Sequence, residues 1–145
     1  MPVDVLTEIL INRPPAQVAH YAGDPSNAPK WYVNIKSVEW TPPMAIGSKL
    51  AFVAQFLGRP LAYTYEVVGL DPGRRLVMRT AQGPFPMETT YTWDPMGEGR
   101  TRMTLRNRGE PAGFSKIAAP LMALAMRRAN QKDLARLKTL LERVR

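Results

Sequence analysis

The sequence has no cysteine and a single histidine, and these two shortages exclude much of the usual catalytic chemistry. Without cysteine there can be no disulfides, thiolate zinc sites, iron–sulfur clusters or cysteine nucleophiles. One histidine, His20, excludes metal sites with two histidine ligands and disfavours a Ser-His-Asp triad. His20 sits beside Tyr21 in a short predicted helix, where a surface role is favoured.

Phosphate-binding loops and targeting segments are also missing. There is no Gly-x-Gly-x-x-Gly motif and no Walker loop, so nothing predicts a nucleotide cofactor. The first ten residues contain the acidic Asp4 and Glu8 and so do not resemble a secretory leader. No apolar run reaches the roughly 18 residues of a membrane span. We therefore expect a cytoplasmic, soluble protein without metal or cofactor and without stable membrane insertion.

Positive charge is in excess, with 20 Lys and Arg against 12 Asp and Glu and a net charge of +8. Basic residues concentrate in residues 127–145 and at Arg100, Arg102, Arg106 and Arg108. They are not interleaved with exposed aromatic residues that could stack on bases, so a solvated basic face is favoured and no nucleic-acid partner is expected. The length of 145 residues and the hydrophobic share of 45% fit one domain over residues 1–145.

The order of predicted elements is a strand, two short helices, six strands and a long helix. The first strand covers residues 3–11, and the short helices cover residues 16–22, ended by Gly23, and residues 24–32. Turn signals such as Asp71-Pro72-Gly73 then separate short alternating runs from Ile35 onward. These runs predict an antiparallel meander.

Alternation along these strands separates two faces of the predicted sheet. Odd positions of residues 63–67, 87–93 and 101–107 are mostly apolar or aromatic, and even positions are polar or basic. Arg79, Glu66 and Glu88 fall on the polar face, which disfavours acid–base catalysis by these groups. An apolar inner face and a basic outer face are expected.

A helical stretch follows to residue 145, with Pro120 marking a kink or its true start. Its second half is amphipathic, whereas residues 114–126 are apolar on every side. A helix apolar all round must be surrounded by protein, ligand or lipid. This helix is the one element long enough to cover the apolar face of a curved sheet.

A curved sheet around one helix leaves space for an apolar pocket. The candidate lining consists of large apolar side chains, each of which is also explained as plain core. The candidates are Trp31, Phe52, Phe56, Tyr63, Tyr65, Met78, Met87, Tyr91, Trp93, Met103, Leu121 and Met122.

Several short motifs carry a family resemblance along essentially the whole chain. They are Arg13-Pro14-Pro15-Ala16-Gln17-Val18, Asp24-Pro25 with Trp31, Gly47, Asp71-Pro72 with Arg74-Arg75-Leu76, Gly99-Arg100-Thr101 and Asp133-Leu134-Ala135-Arg136-Leu137-Lys138. In order and spacing the sequence resembles bacterial proteins of the START-like (SRPBCC) superfamily, in the polyketide cyclase/dehydrase branch. The resemblance implies an α+β helix-grip fold, in which a seven-stranded antiparallel sheet wraps around the C-terminal helix and two short helices close one end of a cavity.

Three functions remain open at this point. The first is binding of a small hydrophobic or amphipathic ligand (a lipid, a polyketide or an aromatic compound) between sheet and helix. The second, implied by the resemblance, is a cyclase or dehydratase in which Trp31, Tyr63, Tyr65, Tyr91 or Trp93 orients the substrate. The third is a membrane- or protein-interaction module that uses the apolar and basic C-terminal helix. The first is favoured, and the oligomeric state is left open.

Overall fold

The computed structural model describes residues 3–56, 58–82, 86–109 and 119–143, and these form an α+β fold. The strands are β1 (Val3–Ile11), β2 (Ile35–Glu39), β3 (Lys49–Phe56), β4 (Arg59–Asp71), β5 (Arg75–Gln82), β6 (Met87–Pro95) and β7 (Thr101–Gly109). The helices are α1 (Pro15–Ala22), a 3-10 turn (Pro25–Asn27), α2 (Ala28–Trp31) and α3 (Ala119–Arg143). The predicted element order and helix-grip arrangement are confirmed.

The seven strands form one antiparallel sheet in the order β1-β7-β6-β5-β4-β3-β2. Strands β2 to β7 follow one another as a meander, and β1 closes the arrangement by pairing with β7, with Val5 opposite Asn107. The predicted alternation is confirmed along β7, where Met103 and Leu105 are fully buried. This places one continuous apolar face toward α3.

The outer face of the sheet carries the basic residues, paired with acids on neighbouring strands. Arg106 on β7 contacts Asp4 on β1 at 2.6 Å, and Arg79 on β5 contacts Glu88 on β6 at 2.9 Å. The expectation that Arg79 and Glu88 face outward is thus confirmed. Exposed pairs of this kind contribute little to stability, so the core decides the fold.

The two short helices bring aromatic side chains to one end of the sheet. Asp24 accepts a hydrogen bond from the Ser26 N–H at 2.9 Å and so caps the start of the 3-10 turn. Gly23 ends α1 with φ −81°, and a Cβ there would lie 2.7 Å from the Ala19 carbonyl oxygen. Close approach therefore explains Gly23, and α2 then delivers a fully buried Trp31.

Helix α3 packs closely on β1 and α2, and its inward side joins two separate core clusters. Leu134, Leu137 and Leu141 belong to the larger cluster, which contains Ile11 and most inward residues of the sheet. Nearer the start of the helix, Met122 and Met126 form a smaller cluster with two residues of β1, Val3 and Val5.

In the described part of α3, the rest of the chain covers the apolar segment on one side only. Leu121 is 67% exposed and Leu124 is 43% exposed, because the helix lies on the sheet with one side only. Residues 114–118 of that segment lie outside the described residues. Within the described ranges, no helix is both long and apolar enough to cross a membrane.

The contact between α3 and the sheet can be tested by truncating one buried leucine. Leu137→Ala should lower the free energy of unfolding by about 2–5 kcal/mol, because it leaves a cavity in the larger cluster. Leu124→Ala, on the exposed side of the same helix, should cost about 0.5 kcal/mol or less. Urea unfolding of both variants measures the difference, and equal losses would contradict this packing.

Candidate ligand-binding site

A cavity of about 140 Å³ lies between the inner face of the sheet and α3. Both core clusters contribute to its walls, and Met87 contacts the two. The helix supplies Met122, Met126, Ala129, Asn130 and Asp133 to the lining. A dry apolar cavity of about 150 Å³ is known to hold one benzene ring, so this space suits a group of that size.

Seven of the twelve residues chosen from the sequence line this cavity. They are Phe52, Tyr63, Tyr65, Met78, Met87, Tyr91 and Met122. That these seven residues contact a ligand is a proposal.

The other five candidates are placed elsewhere. Trp31, Trp93 and Met103 are buried core residues outside the lining, and Leu121 points into solvent. Trp93 pairs with Met103 at the end of β6 that α1 covers, so both fill that end of the core. Phe56 belongs to β3, but its side chain lies outside the described residues.

Aromatic rings on β3 and β4 form one wall of the cavity. Phe52 is paired with Tyr63 across the two strands, and their ring centroids lie 5.5 Å apart. Tyr65 follows on the same face, 5.1 Å from Tyr63 and 5.9 Å from Phe52. Three rings in mutual contact restrict one another. This wall is therefore more rigid than the methionine side of the cavity, which consists of Met87, Met122 and Met126.

The hydroxyls of Tyr32 and Tyr91 meet at 2.5 Å beside the cavity. Burial raises the pKa of both phenols well above the usual value, so they are neutral at physiological pH. Two hydroxyls carry two hydrogens, and this contact uses one of them. Because neither makes another hydrogen bond within the described chain, one O–H remains to donate to a ligand.

A second polar chain crosses the floor of the cavity. The Thr89 hydroxyl donates to Asn107 Oδ1 at 2.8 Å, and the Tyr65 hydroxyl contacts Thr89 Oγ1 at 2.8 Å. Since the Thr89 hydrogen is committed to Asn107, Tyr65 must be the donor to Thr89. Burial raises the pKa of Tyr65 to about 12, against the lowering effect of Thr89. This chain is satisfied internally and fixes the Tyr65 ring.

Among the described lining residues, Asp133 supplies the one ionisable carboxyl, and it is only 3% exposed. Its Oδ1 accepts a hydrogen bond from the Val33 N–H at 3.0 Å. Burial raises the pKa of Asp133 to about 6, although the Val33 hydrogen bond and the charge of Arg136 act in the opposite direction. The charge of the carboxylate in turn contributes to the raised pKa of Tyr32, Tyr63 and Tyr91, which line the same cavity.

Asn130 lines the same cavity one helical turn before Asp133, and its Nδ2 is buried without a hydrogen-bond partner in the described structure. Sequence reasoning missed Asn130, Asp133 and Tyr32. The available signal was helical spacing: Met122, Met126, Asn130 and Asp133 follow at intervals of three or four and continue to Leu137. That spacing places two polar groups on the buried side of α3.

The raised pKa of Asp133 predicts a pH-dependent stability. An unfolded aspartate titrates near 3.9, so between about pH 4 and pH 6 the folded protein holds a proton that the unfolded chain releases. Stability is therefore greatest below the unfolded pKa and is lost as the pH rises through about 6. Asp133→Asn accepts the same Val33 N–H but cannot ionise, so it should gain up to about 3 kcal/mol on the wild type between pH 4 and pH 7.

Urea unfolding of wild type and Asp133→Asn across this pH range provides the measurement. A difference between the two proteins that stays constant from pH 4 to pH 7 would contradict the burial of an ionisable Asp133.

Solved structures with the same architecture cover nearly the whole chain. The protein TTHA0849 from Thermus thermophilus is 23% identical with a TM-score of 0.82, over 95% of this chain and 96% of that one. The Zhui aromatase/cyclase from Streptomyces sp. R1128 is 16% identical with a TM-score of 0.84, over 99% and 95%. A START superfamily protein from Mycobacterium smegmatis is 15% identical with a TM-score of 0.85, over 98% and 99%. At these identities the likeness establishes the fold.

A search of curated proteins finds no match. The family model described as "Polyketide cyclase / dehydrase and lipid transport" matches residues 2–142. This confirms the resemblance that the sequence motifs carried. The chain belongs to the polyketide cyclase / dehydrase and lipid transport family.

Proposed function

We propose that the protein binds a compact hydrophobic or amphipathic molecule whose ring-sized part occupies the cavity between the sheet and α3. The observation that carries this proposal is an apolar cavity with polar groups left unsatisfied at its wall. Asn130 Nδ2 has no partner among the described residues, and the Tyr32–Tyr91 pair has one O–H to spare. Buried polar groups are normally paired, so a ligand that fills the cavity and forms hydrogen bonds with these groups would complete the site.

The size of the cavity limits the ligand. Pockets for drug-sized molecules measure about 300–1,000 Å³, and this one measures about 140 Å³. A single ring fits without rearrangement. A longer lipid or polyketide requires the methionine side, Met87, Met122 and Met126, to move, and methionine is the apolar side chain best suited to such movement.

Filling the cavity from the helix side should abolish binding. Ala129 lines the cavity, so Ala129→Phe places a ring in the space proposed for the ligand. Neutral single-ring compounds such as toluene and benzyl alcohol should bind the wild type with a Kd on the order of 0.1–1 mM, and the variant at least about tenfold more weakly.

Ala135→Phe is the matched control, since Ala135 is exposed on the same helix. Amide shift titrations by NMR measure binding, and the folded spectrum of each variant verifies its structure. Equal binding by Ala129→Phe and wild type would place the ligand elsewhere and refute the proposed site.

A second function, catalysis on a bound carbonyl compound, is favoured by the presence of Asp133 and the tyrosine hydroxyls in the lining of one cavity. A carboxyl with a pKa of about 6 is present in both protonation states near neutral pH, so it can take up and return a proton. The spare O–H of the Tyr32–Tyr91 pair can polarise a carbonyl at the same time. These are the groups that a dehydration or cyclisation requires.

Turnover would distinguish this second function from binding alone. With a panel of β-hydroxy thioesters, the double variant Tyr32→Phe/Tyr91→Phe, which removes both hydroxyls of the pair, should lower the rate of water loss about 100-fold or more while leaving ligand affinity within a few-fold. Tyr21→Phe, which removes a hydroxyl outside the cavity lining, should have no effect. Mass spectrometry follows the loss of water, and binding without any turnover leaves the first function alone.

A further inference from the structure

We propose that the cavity selects its ligand by charge and takes a compact aromatic molecule that carries a protonated amine, with the ammonium on Asp133 and the ring against the aromatic wall. The inference rests on the proposed binding function and specifies the class of ligand for the same cavity. It follows from the distribution of charge around the cavity and from the unfilled hydrogen-bonding capacity of two groups on α3.

The charge of the cavity is opposite to that of the protein. The chain carries 20 Lys and Arg and a net charge of +8, yet none of the described lining residues is Lys, Arg or His. The lining holds one ionisable carboxyl, Asp133. Arg136, the nearby cation on α3, donates from Nε to the Lys30 carbonyl at 2.6 Å and is exposed. A carboxylate or phosphate ligand would therefore meet a negative charge and, among the described lining residues, no cation.

Asp133 has capacity for a further donor. A carboxylate offers about four acceptor positions, and within the described chain this one receives a single hydrogen bond, from the Val33 N–H. An ammonium group brings up to three N–H donors and a compensating charge. A buried carboxylate is stabilised most by a partner of this kind, because pairing offsets the loss of hydration.

Asn130 adds a second acceptor beside the first. Its Nδ2 is buried without a partner, and a rotation of the amide by about 180° puts Oδ1 in that place. The oxygen could then accept from the same ammonium that Asp133 binds. The two residues are three apart on α3, so both face the cavity from adjacent turns.

Aromatic rings share the cavity with the proposed position of the ammonium. Tyr32, Tyr63 and Tyr91 line the same cavity as Asp133. The faces of such rings attract cations through their quadrupole, and this attraction is stronger away from water. Together with Phe52 and Tyr65, they also suit the ring of the ligand.

The preference for a cation should depend on pH. The titratable or charged groups around Asp133 are Tyr32 at the end of α2, Tyr63 on β4, Tyr91 on β6 and Arg136 on α3. The phenols stay neutral, so among the described lining residues Asp133 is the group that changes charge near pH 6. The preference should be strong above that pH and weaken below it.

Three ligands of nearly equal shape and different charge test the inference: benzylamine, benzyl alcohol and benzoate. Calorimetric titration of the full chain at about pH 7.5 should give benzylamine an affinity at least about tenfold above that of benzoate, with benzyl alcohol in between. At about pH 5 the advantage of benzylamine over benzyl alcohol should shrink about threefold or more.

Two variants identify the residue responsible. Asp133→Asn should bring benzylamine to the affinity of benzyl alcohol while leaving benzyl alcohol binding in place, which also shows that the variant is folded. Asp94→Asn removes the same charge from the exposed end of β6 and should keep the wild-type order.

Each result decides between the inference and the function on which it rests. Benzyl alcohol binding with no preference for benzylamine, or with benzoate bound best, overturns the charge selection and leaves the binding function intact. A preference that survives Asp133→Asn also overturns it. Failure of all three ligands to bind overturns the binding function, and the charge selection with it.

Discussion

The close packing of α3 on β1, at the edge of the sheet, is the constraint on which the rest of the structure depends. A helix held there cannot also approach the backbone of the middle strands, so long side chains must fill the distance between them. Leucines do so toward the end of α3, and two methionines do so toward its beginning. Where aromatic side chains from β3, β4 and β6 meet that helix, the filling is incomplete and a cavity remains.

The position of the cavity explains the chemistry of its walls. Polar groups that extend into it lose water without gaining a full set of partners, which raises the pKa of the phenols and of Asp133. The outer face of the sheet shows the opposite case, where Arg106 and Asp4 pair in contact with solvent. Charge thus lies mostly outside, and Asp133, the one buried carboxyl among the described residues, distinguishes the site from the surface.

Much of the fold could be predicted from the sequence because its signals are local. Alternation in residues 63–67 and 87–93 correctly separates Tyr65 and Tyr91 from their outward neighbours, and turn residues separate the strands. The lining was predictable only in part. The alternation of a strand marks which residues face inward, but it does not show which end of the strand α1 covers. Tyr91 and Trp93 both face inward on β6, so the sequence could not show that Tyr91 lines the cavity and Trp93 does not.

The helix side of the site was harder to predict for a geometric reason. One residue rotates a helical position by about 100°, so Leu121 and Met122 face different ways although both are apolar. In the sequence Asp133 lies among basic residues, and this segment has the composition of a solvated helix face. Only the helical spacing of Asp133 from Met126 and Leu137 indicates that it is buried. Its partner Val33 is 100 residues away in sequence, beyond any local pattern.

Both proposals require an apolar space that a ligand can enter between the two core clusters. A crystal structure determined under xenon pressure tests it directly, because xenon enters dry apolar cavities of this size. Xenon bound between Tyr91 and Met126 is the predicted result. A filled interior, with Met87 and Met122 occupying that space and no xenon between sheet and helix, would contradict the account.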